Sequence, residues 1–241
     1  MSMSDNTFSW GTAAAPGLTA FYRKAMSVGV LTAAFLSVQL QSQATGAEPL
    51  LAGVAKVDIT NLDAGPVNDP LYVKALVLKS GSTTTVIVTL DAVAVGGIGY
   101  IKDDYLGKVR GIVEKELGIK PANVMVNASH CHGIVCTDAD DRTVLAIKEA
   151  ASKLVPVTVG VGTGHEDRIM ENRRLKLKDG RTIDVRHAYS IPPDEEIVGV
   201  GPVDTEIGIL RLDRLDGSTL AVVYNFACHP IQAVPSGGNT A

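Results

Sequence analysis

Cysteine is scarce in this chain: Cys131, Cys136 and Cys228 are the only three in 241 residues. That number excludes a disulfide-built scaffold, and being odd it leaves at least one thiol without an intramolecular partner. Charge of one sign is lacking too. The formal net charge of -4 offers no electrostatic footprint for a nucleic acid, so a small or apolar molecule is the expected partner. A long, clean apolar run is also missing. The best stretch, Ala25 to Leu40, is interrupted by Ser27, Gly29, Thr32, Ser37 and Gln39, which makes it too short and too polar for a spanning helix. No internal repeat or low-complexity tract is present. The glycines of Gly160-x-Gly162-x-Gly164 follow a strand pattern, but no helix pattern opens after them, which excludes a dinucleotide fingerprint.

What is present begins with an export pattern. Arg23 and Lys24 precede the apolar stretch, and the small residues Thr45 and Ala47 fit a cleavage site before Glu48. Residues 1–47 therefore read as a signal peptide or leader and 48–241 as one domain destined for a periplasmic or extracellular compartment, an uncleaved anchor being the alternative. With 46% hydrophobic residues, that domain can bury a sizeable core.

Along the domain, Val54 to Ile59, Leu71 to Leu78 and Thr84 to Leu90 are short β-branched runs bounded by turn formers. The third is more continuously apolar and reads as a strand buried on both faces, ending in Asp91. Tyr105, Val109, Val113 and Leu117 recur at helical spacing before Gly118. Asn123 to Ser129 is then a strand, Arg142 to Leu154 a helix and Pro156 to Gly162 a strand, a β-α-β-α-β order. Later segments are antiparallel in character: Ile169 to Leu177, Ile207 to Leu212 and Leu220 to Phe226, with Asp179-Gly180 and Asp216-Gly217 as tight turns. His187 to Val203, rich in Pro, Gly and acids, reads as a long surface loop. The fold class expected is α/β: a mixed sheet flanked by helices, with antiparallel hairpins in its second half. The chain stops in the turn-like Ser236 to Ala241, soon after a candidate ligand, which predicts further sequence beyond it.

The chemistry concentrates in His130-Cys131-His132. In an extended segment these two imidazoles project from one face, about 7 Å apart at Cα, close enough to serve one centre. His229 follows a second strand in Asn225-Phe226-Ala227-Cys228-His229-Pro230. A catalytic zinc takes three protein ligands and leaves one position open for water. His130, His132 and His229 are the candidates, and spacing does not decide whether both members of the pair bind metal. His165 and His187, in loop-like contexts, read as ordinary satisfied imidazoles. Asp91 either orients a ligand histidine through its second nitrogen or caps the turn at Asp91-Ala92. Asp138, Asp140 and Asp141 read as a solvated loop and a helix cap. Cys131 and Cys228 face away from their neighbouring histidines on extended backbone, where they can pair behind the site or pack as small hydrophobes.

The segment Asn123-Val124-Met125-Val126-Asn127-Ala128-Ser129-His130-Cys131-His132-Gly133 resembles a stretch of the neutral/alkaline, non-lysosomal ceramidase family that reads approximately N-V-x-x-x-x-T-H-T-H. Further similar blocks follow in the same order: Asn172-Arg173-Arg174 with Lys178-Asp179-Gly180, then Gly201-Pro202-Val203-Asp204-Thr205-Glu206-Ile207-Gly208, then Asn225 to Pro230. Val57-Asp58-Ile59-Thr60 is similar to the family's first strand. The resemblance spans Gly53 to Asn239 and implies a zinc amidase that hydrolyses the N-acyl bond of ceramide, with possible peripheral contact to a membrane surface. By the same resemblance His130 and His229 would ligate Zn2+, with His132 beside the reacting carbonyl as the catalytic imidazole. The family's remaining ligands, a Glu and a Tyr from further downstream, have no counterpart here, so weak metal binding is expected of these residues alone. The loop after the pair, Gly133-Ile134-Val135-Cys136, departs from the family's Ser-Gly-Pro-Gly-like sequence, which leaves a different lipid amide or a sugar-derived substrate open. Two competing readings stand beside this one: a thiol hydrolase using Cys131 or Cys228, and a noncatalytic relative that keeps the fold.

Overall fold

A computed structural model describes residues 48–185 and 190–229 of the chain. The leader pattern with Arg23, Lys24 and Ala25 to Leu40 lies outside the described residues, as do His187 and the segment after His229. The described residues fall within one compact unit, and none of their helices is long and apolar enough to cross a membrane.

Among the described residues ten strands and two α-helices follow in the order β1 (Leu51–Asp58), β2 (Tyr72–Ser80), β3 (Thr83–Leu90), α1 (Tyr105–Leu117), β4 (Val124–Ala128), α2 (Ala139–Ser152), β5 (Val155–His165), β6 (Arg174–Leu177), β7 (Thr182–Asp184), β8 (Ile197–Val200), β9 (Glu206–Arg214) and β10 (Thr219–Phe226). Seven strands form a sheet in the order β10-β9-β5-β1-β2-β3-β4, and β7-β6-β8 form a second, small one. The large sheet is mixed: β3 and β4 are parallel, joined through α1, and the other pairings are antiparallel. The α/β class and the β-α-β-α-β order from β3 to β5 are as the sequence implies.

Period-two alternation decides where the core sits. Val73, Ala75 and Val77 of β2 and Val86, Val88 and Leu90 of β3 point to one face, where they pack with Val109 and Val113 of α1 and Ala146, Ile147 and Ala150 of α2. Both helices cover this same face. At Gly53 of β1 the fit is tight enough that a Cβ would lie 2.0 Å from the Ala150 carbonyl oxygen, so only glycine admits α2 here. The two helices are pinned to each other: the Thr143 hydroxyl donates to the Ala139 carbonyl and accepts from the buried Tyr105 hydroxyl at 2.7 Å.

The expectation that β3 is buried on both faces needs correcting. Ile87 and Thr89 point the other way and are only half-buried, because no helix covers that side. β5 explains what does face it. Only Val155 and Pro156 pair with β1, whereas Val157 to His165 pair with β9 along their whole length. The sheet therefore folds over at β5, and Leu220, Ala221 and Val223 of β10 reach a second small core with Ala52, Leu76 and Leu212. Between the two halves runs a groove of about 1000 Å³.

Two element boundaries also differ from the sequence reading. The strand expected from Ile169 begins only at Arg174, because the Asn172 side chain accepts from Arg174 N and donates to Pro202 O, holding residues before it in an irregular turn. Within the expected loop, Ile197–Val200 forms β8 on β6. Val198 and Val200 are exposed, so this strand has no apolar face to reveal it. The Asp-Gly turns are where expected, with Gly180 and Gly217 at φ 85° and 86°.

Candidate metal centre

β4 ends at Ala128, and the chain does not continue extended. His130 takes φ 62°, the left-handed region, alone among the described non-glycine residues. The extended His-x-His of the sequence reading is thus replaced by a turn. The two rings still meet, their centroids 4.9 Å apart and nearly perpendicular, but because the backbone turns and not because strand alternation aligns them. Beyond the pair the chain is clamped: Asn61 N donates to Ile134 O at 3.0 Å and Cys136 N to Ile59 O at 2.7 Å, around a bridge between Thr60 and Val135.

His229 arrives from the other end of the sheet. β4 and β10 are its two edge strands, and the fold at β5 brings their C-terminal ends together. The His229 ring centroid is 4.6 Å from that of His130 and 5.5 Å from that of His132. All three residues offer a ring nitrogen, and these atoms lie within 4.8 Å of one another. His130 and His229 are half-buried, His132 exposed. Among the described residues no carboxylate or thiol joins this group.

The Nδ1 of His130 is 2.8 Å from the main-chain carbonyl of Val93. A carbonyl only accepts, so Nδ1 carries the proton and Nε2 keeps its lone pair for another partner. Metal-bound imidazoles are typically fixed in this way. The donor set, three neutral-capable imidazoles, suits zinc. One ligand nitrogen from each ring lies within 4.8 Å of the other two, so His130, His132 and His229 are the residues that could gather around one ion.

Asp91 lies at the end of β3, 7% exposed, on the groove side of the sheet. Its carboxylate accepts from Lys74 Nζ at 3.0 Å on both oxygens, from Tyr72 N at 3.0 Å and from Ser129 Oγ at 3.4 Å. The acceptor at His130 Nδ1 is thus the carbonyl two residues further on. Sequence reasoning missed Val93, since a main-chain acceptor leaves no residue-type signal.

His165, at the end of β5, is exposed and 3.5 Å from the Asp167 carboxylate, outside the cluster. Asp138 and Arg142 pair at 2.9 Å at the start of α2, and Arg142 also donates to Asp58 O. The cysteines form no disulfide. Burial pushes the Cys131 thiol up, and burial, with Asp138 as its next cause, pushes Cys136 up to about 12. Both are protonated at neutral pH, which weighs against a thiolate nucleophile at Cys131. Two of the sequence blocks prove to be neighbours: Asn172 meets Pro202, and Gly201 N donates to Arg174 O at 2.8 Å.

Among solved structures the chain is similar to "Ceramidase complexed with C2", with 18% identity and a TM-score of 0.53 over 74% of this chain and 31% of that one. It is similar likewise to the neutral ceramidase from Pseudomonas aeruginosa, with 18% identity and a TM-score of 0.52 over 74% of this chain and 32% of that one. The chain shares their fold and spans about a third of their length. No family model and no curated protein matches.

Proposed function

We propose that this chain carries the histidine half of a zinc-dependent amide hydrolase of the ceramidase type, one that cleaves the N-acyl bond of N-acylsphingosine or a related lipid amide. The observation that carries this reading is the meeting of His130, His132 and His229, delivered from opposite edges of a sheet, within a fold shared with neutral ceramidase. His130 and His229, the half-buried pair, would hold the ion, His130 through Nε2 because Nδ1 is committed to Val93. Zinc held there would supply Lewis acidity, acidifying a water and polarising the amide carbonyl. His132, exposed and in ring contact with both, would hold a proton or a hydrogen bond at the reacting group. In the overall reaction the C–N bond breaks, water contributes oxygen to the acyl carbon, and the amine departs with a proton.

The groove suits an apolar acyl substrate: Val54, Leu76, Ile87 and Leu220 line its wall, and Asn127, Ser129 and Cys228 line it close in sequence to the histidines. Export through the leader and peripheral contact with a lipid surface belong to the same proposal. The test is zinc content by mass spectrometry together with release of fatty acid from an N-acylsphingosine, with and without chelator. Chelator-sensitive release that survives Cys131→Ser and Cys228→Ser supports the metal reading over the thiol one. Zinc bound without turnover would instead favour the noncatalytic relative.

A further inference from the structure

The bonds around Asp91 close a ring. Its carboxylate accepts from Ser129 Oγ, Ser129 leads directly into His130, His130 Nδ1 donates to Val93 O, and Val93 returns through Ala92 to Asp91. The ring is anchored outside itself, since the same carboxylate is held by Lys74 Nζ and Tyr72 N of β2. Main-chain bonds reinforce the joint: Asp91 N donates to Tyr72 O at 2.9 Å and Ser129 N to Leu90 O at 2.9 Å. Ala92, between Asp91 and Val93, is only 3% exposed, so this stretch is packed and not a free loop.

From this the geometry points to Asp91 as a positioning residue: it fixes where the Val93 carbonyl stands relative to His130 and thereby sets the tautomer that imidazole adopts. The carboxylate ties together the ends of β2, β3 and the chain leaving β4. His130, one residue later, is in the left-handed region, a conformation that persists only where surrounding bonds hold it. A carboxylate is acceptor-only, and that of Asp91 accepts from three donors, Lys74 Nζ, Tyr72 N and Ser129 Oγ. The role in zinc binding rests on the function proposed above, whereas the effect on the tautomer does not.

The test is two-bond 1H–15N NMR on the full chain labelled at histidine, without metal and at a pH where the imidazoles are neutral, the His130 signal being assigned by its loss in His130→Gln. The unsubstituted chain is expected to show His130 with its proton on Nδ1. Asp91→Asn keeps the size but loses the paired acceptor for Lys74, and is expected to give a mixture of tautomers and a zinc affinity lower by about 10- to 100-fold. Should Asp91→Asn fail to fold, Ser129→Ala, which deletes only the bond nearest His130, is read in its place and is expected to shift the tautomer in the same direction. A folded variant that keeps His130 wholly in the Nδ1-protonated form overturns the proposal. An unsubstituted chain with the expected tautomer and no zinc affinity would sink the zinc reading and leave the positioning role standing.

Discussion

The two faces of strands β1 to β4 are made from similar residues and have been put to different uses. On one, Val73, Val77, Val86 and Val88 are wholly buried beneath α1 and α2, where Ile147 of α2 packs with them. On the other, Ile87, Thr89, Lys74 and Asp91 line a groove that β10 crosses without closing. The first face is stabilising, since each buried aliphatic side chain there contributes roughly 1.5–3 kcal/mol. The second tolerates polar groups because one wall stays open, and the histidines gather near its Ser129 and Cys228 lining. A single layer thus separates what holds the fold from what can hold a ligand.

That division can be broken most directly with one residue type on either side. Ile147→Ala, under the sheet, is expected to cost about 2–5 kcal/mol in urea unfolding, and Ile87→Ala, facing the groove, less than half as much. Equal costs would mean the groove face is as well packed as the helical one. His229→Ala is expected to reduce zinc affinity by about 100-fold or more, beyond the effect of losing an outer partner, while leaving the melting temperature of the metal-free chain within a few degrees. A matching fall in metal-free stability would place His229 among the structural residues instead. Gly53→Ala should destabilise by about 1–3 kcal/mol without altering zinc affinity, because its Cβ collides with α2 on the far side of the layer from the site.

The smallest expected effect concerns charge. The Arg142 guanidinium holds the Asp138 carboxyl below its ordinary value of 3.8. A depressed carboxylate contributes stability above that value and loses it as the pH falls through its lowered folded pKa. Asp138→Ala is therefore expected to cost at most about 0.5 kcal/mol at neutral pH, since the pair is solvent-screened, and nothing once the pH is low enough to protonate Asp138 in both states. Unfolding curves at the two pH values measure the difference.

Much of the fold was legible because it obeys short-range rules. Tyr105, Val109 and Val113 are buried at the spacing that announces α1, and Val86, Val88 and Leu90 alternate as a strand must. β8 escaped notice because Val198 and Val200 face solvent, so pairing with β6 holds it and not an apolar face. For the site, the His-x-His spacing and the strand before His229 pointed to three histidines whose ring nitrogens do lie together among the described residues. The rings of His130 and His132 meet through the left-handed backbone at His130 and not by strand alternation, a conformation that residue identity does not announce. Val93 was invisible because every residue has a carbonyl.

By itself, then, the sequence determined most of the elements and the residue types able to bind a metal, since these depend on periodicity and on side-chain chemistry. Only the tertiary structure decided that β4 and β10, at opposite edges of one sheet, deliver their ends to the same place. The physical reason is the change of partner along β5, from β1 to β9, which folds the sheet over its own groove and brings His229 to within 4.6 Å of His130, ring to ring.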